Sequence, residues 1–181
     1  MDADELDRIL RTAPTPGDRV AWFGALLTKE VRGRIELVGG SAVEIYLSSV
    51  DYVSQDVDVV GKKEAIANVL ARWRFREVTG RSRRTYWFKE NVGLVDLVGS
   101  TDRSGLPPRR LETPYGFVNV GPVEPLIIRR LYRARRENSR ALYDQAVKLA
   151  RMGGLDWPYL EAEARYEKVA PLLKKLRASV T

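Results

Sequence analysis

Three aspartates stand in segments whose residue pattern is otherwise that of β-strands. Asp56 and Asp58 flank Val57, and because side chains alternate along a strand, both carboxylates point to one face. Asp96 lies in the apolar run Gly93–Val98 and is therefore predicted to be substantially buried. Burying a carboxylate is costly unless it is paired or bound to a metal. If neighbouring strands carry these acids, a divalent cation would relieve their mutual repulsion.

The residues that the chain lacks restrict which cation that can be. Its 181 residues include neither His nor Cys. This excludes disulfides, a thiol nucleophile, an imidazole base, and metal sites built from thiolate or imidazole. Only oxygen ligands remain, and they favour a hard cation such as Mg²⁺ or Mn²⁺.

A second element precedes the acids. Gly39, Gly40 and Ser41 follow the strand-like segment 35–38 and precede a helical segment. Two glycines let the backbone approach a ligand closely, and the start of a helix presents free N–H groups to an anion. The Ser41 hydroxyl can add a further donor. A phosphate cradle beside an acidic metal site is what phosphoryl or nucleotidyl transfer requires.

Each of these features has an ordinary structural explanation when it is taken alone. A Gly-Gly pair is commonly only a turn, the Asp56–Asp58 pair fits an exposed edge strand, and one of the many arginines could pair with Asp96. Their order is more specific: a strand, Gly-Gly-Ser, a helix, then Asp-x-Asp on a strand, and later an isolated Asp in an apolar run.

Apolar periodicity predicts an α+β fold, with an α+β domain over residues 1–120 and a helical region over 121–181 packed on it. The acidic start of the chain and the lack of a run of about 20 apolar residues predict a cytoplasmic protein without a membrane segment. Strands are predicted at 35–38, 56–60, 75–79, 84–89, 92–98 and 117–120. Helices are predicted at 2–11, 18–31, 42–47 and 62–72, and in four further segments between 122 and 177.

The combined pattern resembles the nucleotidyltransferase superfamily, whose members have the polymerase-beta-like fold. The resemblance rests on Leu37-Val-Gly-Gly-Ser-Ala-Val-Glu-Ile-Tyr46 followed by Tyr52-Val-Ser-Gln-Asp-Val-Asp-Val-Val60. Within the superfamily these segments look like minimal prokaryotic members, including toxin-type nucleotidyltransferases of abortive-infection systems. Ser54, two residues before Asp56, fits the Ser or Thr usual there. The likeness covers 35–160, with the specific motifs in its first half.

The resemblance implies an α+β nucleotidyltransferase domain that uses an NTP with Mg²⁺ or Mn²⁺. Asp56 and Asp58 would bind two divalent ions, and Asp96 would ligate one of them and help to activate the incoming hydroxyl. Gly39, Gly40 and Ser41 would hold the β- and γ-phosphates. For the basic residue that toxin-type members use near the phosphates, the candidates by position are Lys62, Lys63, Arg129 and Arg130.

The implied reaction moves NMP to an RNA end or to a protein hydroxyl, and toxin-type relatives imply an antitoxin-type protein partner. The alternative is a catalytically inactive member that binds nucleotide or RNA in a regulatory role. A divergent feature is the interval from Ser41 to Asp56, which is at the long end for compact members.

Clustered arginines point to a polyanionic partner such as a tRNA-like RNA. Residues 71–90 contain seven Lys or Arg against two Glu, and Tyr86 and Trp87 beside Arg83 and Arg84 could stack on an unpaired base. Alternatively, the arginines are solvated surface charge, and the two aromatic side chains divide between core and edge. The further basic residues of the cluster are Arg72, Arg74, Arg76, Arg81, Arg129, Arg130, Arg133, Arg135, Arg136 and Arg140.

Overall fold

The computed structural model describes residues 1–48, 54, 56–79, 85–99 and 104–180. Two compact units are present, residues 1–121 and residues 122–181. The first contains a β-sheet with helices, and the second is helical, so the predicted α+β class is confirmed. No helix in the described part of the chain is long and apolar enough to cross a membrane.

Four helices belong to the first unit, and side-chain caps start two of them. In α1 the Asp2 carboxylate accepts from the N–H groups of Asp4 and Glu5, and in α2 the Thr15 hydroxyl accepts from that of Asp18. Capping by Thr15 begins α2 at Pro16, before the predicted start at residue 18. The helices are α1 (Ala3–Arg11), α2 (Pro16–Val31), α3 (Gly39–Leu47) and α4 (Lys63–Arg72).

The sheet of the first unit is mixed, with β2–β5 and β1–β7 paired in parallel and the other neighbours antiparallel. Its strand order is β3-β4-β5-β2-β1-β7-β6. The strands are β1 (Glu36–Val38), β2 (Asp56–Val60), β3 (Arg76–Thr79), β4 (Thr85–Lys89), β5 (Gly93–Gly99), β6 (Arg109–Thr113) and β7 (Gly116–Val120).

A strand and a further helix also differ from the sequence-based prediction. Strand β6 occupies part of a predicted loop, because Arg109–Thr113 gains its backbone partners only from β7 in a hairpin. Helix α3 begins at Gly39 rather than at Ala42, since the left-handed φ of +61° at Gly39 turns the chain directly from β1 into the helix.

One face of the sheet carries buried apolar residues and packs against α2. Leu37 of β1 and Val118 of β7 are buried on this face, and a Cβ added at Gly24 of α2 would lie 2.6 and 2.7 Å from their side chains. Val57, between the two aspartates of β2, is buried as well. Because side chains alternate along a strand, Asp56 and Asp58 are on the opposite face.

The described part of the second unit contains four helices, two of which begin with side-chain caps. Ser139 accepts from the Leu142 N–H at 3.4 Å, and Asp156 accepts from the Tyr159 N–H at 2.9 Å. Buried Glu124 accepts from the Asp156 backbone N–H at 3.0 Å and so joins the first helix of the unit to the start of the third. The helices are α5 (Val123–Glu137), α6 (Arg140–Ala150), α7 (Trp157–Tyr166) and α8 (Ala170–Val180).

Candidate metal centre

The three aspartates meet on one face of the sheet. Parallel pairing of β2 with β5 places Asp58 directly beside Asp96. Asp56 is two residues before Asp58 and on the same face of β2. One carboxylate oxygen from each residue lies within 4.8 Å of the other two. The structure therefore brings together the three residues predicted to bind a metal.

This arrangement fits a hard divalent cation. Mg²⁺ is bound by oxygen at 2.0–2.1 Å, so ligands on opposite sides of the ion are about 4.2 Å apart. The carboxylate oxygens lie within 4.8 Å of one another. Small side-chain movements would bring them to the distance that a bound Mg²⁺ requires. Asp96 is only 3% exposed, while Asp56 and Asp58 are half-buried. Water screens the repulsion between buried Asp96 and the other two carboxylates only poorly, and a bound cation would therefore offset it.

Gly39 allows the start of α3 to approach the Asp58 carboxylate. A Cβ at Gly39 would lie 2.0 Å from Asp58 Oδ2, and the φ of +61° is itself unfavourable for other residues. The next N–H, that of Gly40, donates to Asp58 Oδ2 at 3.0 Å. A predicted metal ligand and the start of a helix are thus in direct contact, as a phosphate cradle next to a metal site requires.

Ser41 has a different local role from the one predicted from the sequence. It is fully buried, its hydroxyl donates to the Val38 carbonyl at 2.7 Å, and it accepts from the Asp58 N–H at 3.2 Å. The hydroxyl therefore holds the ends of β1 and β2 together. Binding of phosphate by Ser41 stays a prediction, for which its backbone N–H in the first turn of α3 is the available group.

Glu44 is a residue of the site that the sequence analysis did not identify. Its carboxylate is 2% exposed and accepts from the Ser54 N–H at 2.7 Å, and the Ser54 hydroxyl donates to the Asp56 carbonyl at 2.7 Å. Burial raises the pKa of Glu44, against the opposing effects of the Ser54 hydrogen bond and of the Arg19 charge. The available signal was an acid within the otherwise apolar segment Ala42-Val-Glu-Ile45.

The predicted basic residues belong to both units. Lys62 and Lys63 are exposed at the start of α4, beyond the end of β2 that is remote from Asp56. Arg129 is exposed on α5, whereas Arg130 is 4% exposed. Lys62, Lys63 and Arg129 therefore remain candidates by position only.

At least five of the nine described arginines of the cluster pair with acids of their own unit. Arg74 binds Asp4 at 3.2 Å in the first unit. The other such pairs are Arg72–Glu30, Arg133–Glu137, Arg136–Glu137 and Arg140–Asp144. These pairs favour solvated surface charge over an RNA-binding surface at those positions. Arg81, Arg83 and Arg84 lie outside the described residues.

The fold is that of nucleotidyltransferase-like proteins. The chain is similar to an antigenic nucleotidyltransferase-like protein from Paracoccidioides brasiliensis, with a TM-score of 0.65 and 13% identity over 99% of this chain and 92% of that one. This likeness establishes the fold and not the activity.

Two structures of ANT(2'')-Ia are more distant. The solution structure of this antibiotic-resistance factor has a TM-score of 0.49 and 17% identity over 99% of this chain and 100% of that one. Its crystal structure with adenylyl-2''-tobramycin has a TM-score of 0.46 and 15% identity over 88% and 96%. No protein-family model matches the chain, and no curated protein matches it significantly.

Proposed function

We propose that the protein is a metal-dependent nucleotidyltransferase that moves NMP from an NTP to a hydroxyl acceptor, an RNA end or alternatively a protein hydroxyl. The observation that carries this proposal is the convergence of Asp56, Asp58 and Asp96 within 4.8 Å, with the Gly40 N–H on the Asp58 carboxylate. An oxygen-ligand site in contact with a helix start suits a triphosphate with its divalent cations. The nucleotidyltransferase-like fold supports the same reaction class.

Different residues of the site bind the metal and the phosphates. Asp56, Asp58 and Asp96 would hold the cations, Mg²⁺ or Mn²⁺. The first N–H groups of α3, at Gly39, Gly40 and Ser41, bind the β- and γ-phosphates, and that of Gly40 is shared with Asp58 Oδ2. Divalent cations held by these carboxylates would supply neutralisation of charge on the triphosphate and would lower the pKa of a coordinated hydroxyl. Glu44 and Ser54 fix the backbone before Asp56 and thereby orient its carboxylate.

Asp96 takes the proton of the acceptor. The chain has no His, so a carboxylate is the available base, and Asp96 lies directly beside Asp58. As the acceptor oxygen bonds to the α-phosphorus, the bond from the α-phosphorus to the bridging oxygen breaks. Pyrophosphate leaves with that electron pair, and the hydroxyl proton passes to an Asp96 oxygen.

The test is a transfer assay with purified protein, each α-labelled NTP, Mg²⁺ and total RNA. Asp58→Asn and Asp96→Asn keep size and shape but remove a charged ligand, and each is expected to lower transfer by about 100-fold or more. In EDTA, both variants should melt at or above the wild-type temperature, because like-charge repulsion is relieved.

Three outcomes would contradict parts of this proposal. Undiminished transfer by both variants would place the active site elsewhere. Mg²⁺-dependent NTP binding without transfer to RNA, protein or small molecules would indicate the regulatory, inactive alternative. Label found only in protein would make a protein hydroxyl the acceptor.

The same proposal includes a toxin-type role, an antitoxin partner and a cytoplasmic location. The toxin-type role is supported by the likeness of residues 37–60 to toxin-type members. Induced expression in a bacterial host is expected to stop growth for the wild type and not for Asp58→Asn at equal protein level. Equal toxicity of both proteins would contradict a toxin activity that depends on this site.

A further inference from the structure

The face of the sheet that carries the three aspartates continues past Asp96 to the β3 edge. Tyr86 of β4 is directly opposite Asp96, and Phe88 is opposite Leu94, the β5 residue that is paired with Asp56. Directly opposed residues of an antiparallel pair have their side chains on the same face. Tyr86 and Phe88 therefore share the face of the acids.

Arg76 extends this surface to the edge strand. It is opposite Phe88, and its guanidinium carbon is 4.8 Å from the centroid of the Phe88 ring. Arg76 is exposed, while Tyr86 and Phe88 are half-buried. With strands about 4.8 Å apart, Tyr86 is one strand from Asp96 and Arg76 is two strands from Leu94. We call Tyr86, Phe88 and Arg76 the β3–β4 row.

The sequence had left both Tyr86 and Trp87 as candidates for stacking on a base. Trp87 is opposite Val95, which is buried on the other face of the sheet. Only Tyr86 of the two is therefore on the same side of the sheet as the aspartates.

The row lies on the side of the metal centre that an acceptor must use. Gly39 and Gly40 contact Asp58 from the β1 side, whereas the row lies beyond Asp96 on the β5 side. In an in-line displacement the attacking and leaving oxygens are on opposite sides of the phosphorus. Pyrophosphate leaving near α3 therefore requires an acceptor that approaches from β5 and β4.

The chemistry of the row selects the kind of acceptor. The Tyr86 ring offers a face on which a base can stack, and the Arg76 guanidinium, which lies over the Phe88 ring, offers a phosphate contact. Building on the proposed function, we propose that Tyr86, Phe88 and Arg76 bind the unpaired terminal nucleotides of a single-stranded RNA acceptor.

The experiment measures RNA affinity separately from transfer. A 12-nucleotide single-stranded RNA with a 5′ fluorophore is titrated by anisotropy, without NTP, against the wild type, Arg76→Glu, Tyr86→Ala and Tyr86→Phe. Tyr86→Ala is expected to lose about 5- to 100-fold in affinity and Tyr86→Phe to retain it, because a phenyl ring still stacks. Arg76→Glu is expected to lose about 10-fold and to reduce the salt slope by about 0.7, the value for one phosphate contact of a single strand.

Arg110 provides the matched control. It is an exposed arginine whose guanidinium carbon is 3.8 Å from the centroid of the Phe117 ring, on β6 at the other edge of the sheet. Arg110→Glu makes the same charge change and should alter RNA affinity by less than about 2-fold. Because Arg76 is exposed, Arg76→Glu tests the row even if Tyr86→Ala does not fold.

Two results would overturn this inference. If Arg76→Glu binds RNA as Arg110→Glu does, the row does not bind RNA, whatever the transfer assay gives. If the wild type transfers NMP to protein and binds the RNA only negligibly at low salt, the acceptor is a protein. The two proposals can fail separately, because RNA binding is measured without NTP. A wild-type protein that binds RNA through the β3–β4 row but transfers no NMP would support this inference and contradict the proposed transfer activity.

Discussion

Replacing Gly39 by Ala is the sharpest test of the geometry at the metal centre. The new Cβ would lie 2.0 Å from Asp58 Oδ2, far inside van der Waals contact. The carboxylate must therefore move away, and it loses the charge-assisted hydrogen bond from the Gly40 N–H. Losing that bond costs about 1.5–3 kcal/mol, and holding Ala at the φ of Gly39 costs about 1–2 kcal/mol more.

Gly105→Ala separates these two contributions. Gly105 also has a left-handed φ, +72°, but no described atom lies within 4 Å of an added Cβ. This control is expected to lose only the backbone contribution. Since 1 kcal/mol shifts the melting temperature of a chain of this size by about 2–4 °C, the loss of about 1.5–3 kcal/mol for the hydrogen bond should make Gly39→Ala melt about 3–12 °C below Gly105→Ala.

A second measurement follows the metal itself. Displacement of Asp58 should weaken Mn²⁺ binding, measured as free Mn²⁺ by electron paramagnetic resonance, by about 10-fold or more in Gly39→Ala and leave it unchanged in Gly105→Ala. If the two variants have equal melting temperatures and equal Mn²⁺ affinities, the inferred contact between α3 and Asp58 is wrong.

The other predictions concern the two buried polar residues of α3. Burial raises the pKa of Glu44, so the folded state keeps this proton to higher pH than the unfolded chain, and the free energy of unfolding falls as pH rises from about 4.5 through the raised pKa. Glu44→Gln retains an acceptor for the Ser54 N–H but does not titrate. In urea unfolding at a series of pH values, this variant should therefore gain stability relative to the wild type as pH rises from about 4.5 through the raised pKa of Glu44. A difference in stability that does not change with pH would contradict the raised pKa. Ser41→Ala loses a donor to β1 and leaves the Asp58 N–H without its hydroxyl acceptor, which should lower the free energy of unfolding by about 1–3 kcal/mol. Ser179→Ala, which loses only a hydrogen bond within the last helix, should cost less than about 0.5 kcal/mol, and equal losses would refute the role given to Ser41.

Much of the fold could be predicted from local pattern, because alternating and helical periodicities are properties of a short segment. Strand β2 has the predicted bounds, and the predicted helices 2–11 and 62–72 agree with α1 and α4 to within one residue. Strand β6 was missed because Arg109–Thr113 has charged residues and one central leucine, a pattern that fits a loop equally well. Its strand conformation depends on the hydrogen bonds that β7 provides across the hairpin.

The sequence by itself determined which acids share a face and which residues can turn sharply. Asp56 and Asp58 are on one face because a strand has a period of two, and Gly39 accepts a left-handed φ because it has no Cβ. An aspartate in an apolar strand also marked Asp96 as a residue that needs a partner. These conclusions concern properties of a few consecutive residues.

Only the tertiary structure decided which of these residues meet. Pairing of β2 with β5 in register places Asp96 beside Asp58, and the burial of Val95 assigns Trp87 to the covered face and Tyr86 to that of the acids. The hydrogen bond from Ser54 to Glu44 likewise depends on the packing of α3 next to β2. The physical reason is that the two-residue period of a strand fixes which of its side chains share a face. Which strands become its neighbours, and which face the helices cover, depend on hydrogen bonds and burial between segments that are distant in the chain.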